Sequence, residues 1–232
     1  MLSLNPCLPS PPCKGIDWEE TAKDIGRGVK HAAKTVGRGL KKAVKAICYA
    51  YGSTVTRKGA DGETEAVLME DVQEGDQVLV HGASGLHFTT AVAVDLHPET
   101  KAQRLTVSTR SGHQVTLTDS HMMPVHSDGK EELLPAREVK VGSHVTIVNA
   151  AGITELSDVV DVSAAEVTGG LVNILTGAET IVVDGVVGSV YAESTFKGAA
   201  GVLRPVVNFA YKVAGARAAR YTYRAAEWAF AQ

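Results

Sequence analysis

The sequence predicts a mostly β fold, duplicated about a pseudo-twofold axis, with helical N- and C-terminal extensions. Three observations point there. Apolar residues alternate with polar ones across residues 48–193, as in Val78/Val80, Val92/Val94, Leu105/Val107, Val115/Leu117, Val145/Ile147 and Ile181/Val183, with Gly, Asp and Ser turns between them. The segment DVQEGDQV at 71–78 returns as EVKVGSHV at 138–145, an offset of 67 residues. Thr109 leads through a turn into VTLTD at 115–119, and Thr176, at the same offset, leads into TIVVD at 180–184. Two similar β-halves packed on one axis are the simplest architecture for this repetition.

Taken in order, the chain opens with the Pro-rich LNPCLPSPPC at 4–13. Residues 17–47 then read as helix. An eleven-residue repeat, IGRGVKHAAKT (25–35) and VGRGLKKAVKA (36–46), spans about three turns and returns each residue to nearly the same face. Ile25, Val29, Ala32, Val36, Leu40, Ala43, Val44 and Ile47 form an apolar stripe opposite lysines and arginines. Asp17 is positioned to cap the helix, with Glu19, Glu20 and Asp24 in its first turns. Glycines 26, 28, 37 and 39 weaken it, so it should form only against a surface, either a membrane or the domain that follows. After residue 193 the alternation stops, and aromatic residues scattered among Ala and Arg read as one or two helices. The expected units are therefore 1–47, 48–193 and 194–232.

Charge divides the chain in the same way. Residues 1–47 carry nine Lys/Arg against four acids, a net +5, and residues 194–232 carry six against Glu227 alone, again +5. The whole chain is −3, so the middle holds −13. Hydrophobic residues are 44%, enough for a packed core. Three cysteines, Cys7, Cys13 and Cys48, are too few for a disulfide framework. Cys7 and Cys13 could pair, carry lipid or be plain thiols; Cys48 is expected to be a free thiol. No apolar run reaches the ~18 residues of a membrane span, and no secretory signal peptide is expected. The compartment stays open.

The chemistry lies in Cys48, Thr118 and His121. A thiol that directly follows a peptide bond can attack its carbonyl through a five-membered ring, an N-to-S acyl shift. The thiol must lose its proton, the departing nitrogen must gain one, and the tetrahedral oxyanion needs donors. His121 can supply the proton, and Thr118, three residues earlier, can bond the scissile amide or orient the imidazole. The cleaved bond would join Ile47 to Cys48.

These blocks together resemble the Hint superfamily, the self-processing fold of hedgehog autoprocessing domains and inteins, over roughly residues 47–193. CYAYGSTV from Cys48 is similar to the family's opening block, VQEGDQVL (72–79) to its V-x-x-G-D-x-V-L segment, and LTDSH (117–121) to its L-T-x-x-H block, with Asp119 where hedgehog-type members usually carry Pro. TIVVDGVVGSVYA (180–192) is similar to the hedgehog-type closing strand. The resemblance implies that Cys48 forms an internal thioester, that Thr118 and His121 promote the shift, and that Asp95 stands where hedgehog-type domains carry the acid that activates a sterol hydroxyl. The plain alternative for Asp95 is a turn residue ending a strand before Pro98. Nothing in the spacing of His97, His113 and His126 argues for a metal, and no cofactor is expected beyond a sterol as acceptor substrate.

Ile47 stands where hedgehog-type domains cleave after glycine, and its branching should slow attack. Val190 replaces a cysteine common in the closing strand. No His-Asn pair followed by Cys, Ser or Thr closes the domain, so splicing is not expected. The expected function is self-cleavage, with the N-terminal segment as substrate and water, a thiol or an alcohol such as a sterol as acceptor. Two rivals are an inactive Hint domain serving as a binding or scaffold module, and a precursor of a membrane-active basic peptide. Residues 194–232, aromatic and cationic, suit a sterol or membrane contact. No nucleic-acid partner is expected, and oligomeric state is not read from the sequence.

Overall fold

The computed structural model describes residues 48–100, 102–127, 129–166, 169–191, 210–213 and 215–224. The expected N-terminal helix, Cys7, Cys13 and Ile47 lie outside the described residues.

The alternation forms strands, and the duplication governs how they pair. The first half comprises β1 (Tyr49–Ala50), β2 (Thr54–Lys58), β3 (Thr64–Leu68), β4 (Gln77–Gly82), β5 (Gly85–His97), β6 (Arg104–Thr109) and β7 (Gln114–Thr118). The second comprises β8 (Met122–Ser127), β9 (Lys130–Pro135), β10 (His144–Val148), β11 (Thr154–Ala165), β12 (Leu171–Thr176) and β13 (Thr180–Val183), and β14 (Val186–Ser189) closes it. β2 pairs with β3 and β4 as β8 pairs with β9 and β10. A single 3-10 turn follows each hairpin at equivalent positions, Met69–Asp71 and Ala136–Glu138.

The halves interlock through their longest strands. β5 pairs with β4 over Gly85–Thr90, then crosses to β12 of the other half from Ala91 onward. β11 likewise pairs with β10 over Thr154–Asp158 and with β6 from Val159 onward. Both changes of partner are pinned by the duplicated turn. Gly75 and Gly142 adopt φ values of 105° and 88°, conformations open to glycine. Their N–H groups donate to Ala91 O and Val159 O, each at 2.9 Å, where each long strand switches. The repeated glycines at 75 and 142 thus fix the exchange that makes one core out of two halves.

That core contains Val78, Val107, Val115, Leu117, Val145, Ile147, Ile181 and Val183, all fully or nearly fully buried. Burying a side chain of this size contributes about 1.5–3 kcal/mol each before entropy is counted. Tyr49 enters the same core under β14. A Cβ at Gly188 would overlap its hydroxyl, so the glycine makes room for the ring.

Of the C-terminal region, residues 210–213 and 215–224 are helical, in keeping with the expected loss of alternation. Ala210, Ala218, Ala219 and Thr222 are buried. Tyr211 shares a 3.0 Å hydrogen bond with Thr89, and its ring occupies the space left by Gly177. Arg220 donates to Val92 O at 2.8 Å and pairs with Glu74 at 3.0 Å. These residues, read as interface material, make contacts to the β domain. Val213 and Tyr221 are exposed. Among the described residues, no helix is long and apolar enough to cross a membrane.

Candidate active site

Cys48 owes its place to a two-residue strand. β1 sits between β7 and β12, with Tyr49 opposite both Leu117 and Val172. One residue back along the same register, Cys48 lies between Thr118 and Asn173. Thr118 N–H donates to Cys48 O at 2.9 Å, and Cys48 N–H donates to Thr118 Oγ1 at 3.4 Å. That second nitrogen belongs to the 47–48 peptide bond.

The pairing continues outward. Asn173 opposes Asp95 on β5, and Thr118 opposes Arg104 on β6. Directly opposed residues of antiparallel strands share a face. Asp95, Asn173, Cys48, Thr118 and Arg104 therefore form one row across five strands, and all five are buried.

His121 reaches the row by a tight turn. β7 ends at Thr118, and His121 N–H closes on Thr118 O at 3.0 Å. The imidazole is fully buried, its ring centroid 4.3 Å from that of Tyr49. Nε2 bonds Ser189 O at 2.8 Å, and Tyr49 Oη donates to the same carbonyl at 2.9 Å. A nitrogen facing a carbonyl must carry the proton, which leaves the lone pair of the neutral ring on Nδ1. Nδ1 is buried without a hydrogen-bond partner among the described residues. Ser189 is itself fixed: its Oγ donates to Met122 O at 2.6 Å and accepts from Tyr191 N–H at 3.1 Å.

Burial favours the neutral forms of the Cys48 thiol and the His121 imidazole. The Cys48 thiol is pushed up to about 12, chiefly by burial and next by the Asp95 charge, with Arg104 opposing. Burial lowers His121 to about 4, against a smaller effect of the Ser189 hydrogen bond.

Asp95 lies on β5, two residues before that strand ends at His97, and its carboxylate is engaged. Tyr223 Oη donates to Oδ2 at 2.7 Å, and Arg224 Nη1 pairs with Oδ1. Of the other histidines weighed, His113 bonds Ser111 Oγ at 3.1 Å and His126 bonds Thr146 Oγ1 at 3.2 Å. No group of three metal-capable side chains occurs among the described residues.

Sequence reasoning missed Asn173, Arg104, Tyr49 and Ser189. Asn173 left a signal, as a lone amide in the otherwise apolar strand LVNILT whose Oδ1 is buried without a partner. Arg104, fully buried at the head of β6, left none, because an arginine beside a turn ordinarily faces solvent. Ser189 acts through its backbone carbonyl, which residue identity does not disclose.

The family model described as the Hint module matches residues 40–220. The fold is similar to that of an intein from a hyperthermophile, over 61% of this chain and 98% of that one, at 14% identity and a TM-score of 0.55. The PabCDC21-1 intein aligns over 62% and 99% of the two chains at 14% identity and a TM-score of 0.52, and the transcription factor IIB Mvu mini-intein gives the same four figures. At such identities the likeness shows the fold. No curated protein matches the sequence.

Proposed function

Because this chain belongs to the Hint family, the fold of self-processing domains, we propose that it cleaves its own backbone between Ile47 and Cys48. The observation that carries this reading is the pair of hydrogen bonds between Cys48 and Thr118, which holds the nitrogen of that bond against a hydroxyl three residues before His121.

The proposed reaction begins with loss of the Cys48 thiol proton. Sγ attacks the Ile47 carbonyl carbon, giving a tetrahedral oxyanion. The carbon–nitrogen bond breaks, the nitrogen takes a proton to become a free amine, and the acyl group remains on Sγ as a thioester. His121 Nδ1 carries the lone pair needed to accept a proton and return it to the nitrogen. An imidazolium with so low a pKa is a strong acid, which suits a poor leaving group. Water, a thiol or an alcohol then takes the acyl group and releases residues 1–47. A sterol is the alcohol we propose, with Asp95 receiving its proton, and neither ligation nor splicing follows.

One experiment tests the steps separately. Release of a fragment beginning at Cys48 is followed by mass with dithiothreitol and, in parallel, with a sterol. Thr118→Ala and His121→Ala should slow both reactions, His121→Ala by ~10² or more. Asp95→Ala should lose the sterol ester while keeping the dithiothreitol product, because a thiolate attacks without a protein base. Equal loss with both nucleophiles would assign Asp95 to the first step and remove the sterol role. The scaffold reading draws support from the buried, neutral thiol and imidazole; it predicts no product with either nucleophile.

A further inference from the structure

Two charges flank the thiol in its row: the Asp95 carboxylate beyond Asn173, and the Arg104 guanidinium beyond Thr118. They act oppositely, the carboxylate disfavouring a thiolate and the guanidinium favouring it. The other titratable groups nearby are the phenols of Tyr49 and Tyr51, both held protonated, and the neutral His121 imidazole. The two charged neighbours are anchored differently. Arg104 Nη2 donates to Gly169 O at 2.7 Å, within the β domain. Asp95 is held by the C-terminal helical segment, through Tyr223 and Arg224. Arg224 Nη2 also donates to Val94 O at 3.2 Å and pairs with Glu74 at 3.2 Å. Arg220 secures the same edge through Val92 O and Glu74.

We propose that docking of the C-terminal helical segment sets the reactivity of Cys48, with Tyr223 and Arg224 acting as positioning residues through the Asp95 carboxylate. The proposal rests on the reading of Cys48 as nucleophile. While the segment is docked, a guanidinium and a phenol hold the two carboxylate oxygens, and the negative charge beside the thiol is offset. When it leaves, that charge stands across Asn173 from Sγ and opposes ionisation. Cleavage is then coupled to the folding of a region about 170 residues downstream of the nucleophile.

The test is a double-mutant cycle read as a pH profile. Dithiothreitol release is measured between pH 6 and pH 10 for the parent, Arg224→Gln, Tyr223→Phe, Asp95→Asn and the double variant Asp95→Asn/Arg224→Gln. Arg224→Gln should slow release about threefold near neutral pH and move the profile to higher pH. Tyr223→Phe, a milder change, should shift it in the same direction. Asp95→Asn should release faster than the parent. Arg224→Gln should have no further effect once Asp95 is Asn, since the coupling runs through that carboxylate. Equal slowing in both backgrounds would make the segment a structural brace and overturn the proposal, as would an unchanged profile in Arg224→Gln. If the parent releases nothing, the nucleophile reading fails on its own terms. The coupling is then read from the pH dependence of iodoacetamide labelling at Cys48 in a Cys7→Ser/Cys13→Ser background, where the same pattern supports it and its absence overturns it.

Discussion

Burial acts on His121 in two opposed ways. Its buried ring packs at a tilt against that of Tyr49, which stabilises the folded chain, while the same burial drives its pKa from 6.5 to about 4. Between those values the unfolded chain binds a proton that the folded one refuses, so stability rises with pH through this window. The expected outcome is a loss of about 3 kcal/mol as pH falls from about 6.5 to about 4, absent in His121→Phe. Chemical denaturation at both pH values checks it, and equal losses in the two proteins would show that the imidazole stays protonatable when folded. Ile47 gives a second expectation at this scale. A β-branched side chain hinders attack on its own carbonyl, so on the proposed reaction Ile47→Gly should cleave faster with dithiothreitol. Unchanged or slower cleavage would mean that the acyl pocket is shaped around isoleucine. Thr118 and His121 could be read from the sequence because the T-x-x-H spacing is a local feature. Arg104 could not, because the row that includes it is a property of strand register.

At the scale of elements, the predicted strand segments all fall in strands, and the turn at 71–78 recurs at 138–145 with the same hydrogen bond from its glycine. Period-two alternation is a local signal, and it survives wherever one strand face is buried. Pairing is not local. Nothing in β5 or β11 announces that each changes partner midway, so Asn173 and Asp95 could not be placed opposite each other beforehand. β14 shows how an element serves the site without a reacting side chain. Its Ser189 carbonyl fixes the Tyr49 hydroxyl and the His121 tautomer together, and Gly188 leaves space for that phenol. Gly188→Ala should force the ring out and cost about 2 kcal/mol or more, the scale of overpacking a core. Thermal melting together with the dithiothreitol rate checks this. An unchanged melting temperature would show that the strand can shift to admit the methyl group.

For the whole molecule, the duplication disclosed the architecture of the β region, and the interlock of the halves gives the reason for it. Each half supplies part of the site: Cys48, Thr118, Arg104 and Asp95 come from the first, Asn173 and Ser189 from the second, and His121 from the turn that joins them. The row around Cys48 is therefore assembled only when both halves pair. The two rivals, an inert scaffold and a peptide precursor, differ from the proposal in what becomes of the bond before Cys48. Intact-mass analysis of purified chain, incubated for hours with and without dithiothreitol, tests this most directly. The account predicts a growing fragment that begins at Cys48, matched by a 47-residue partner carrying the thiol, and none in Cys48→Ala. If wild type and Cys48→Ala stay equally intact, or yield the same fragments, Cys48 is not the nucleophile and the self-cleavage reading is contradicted.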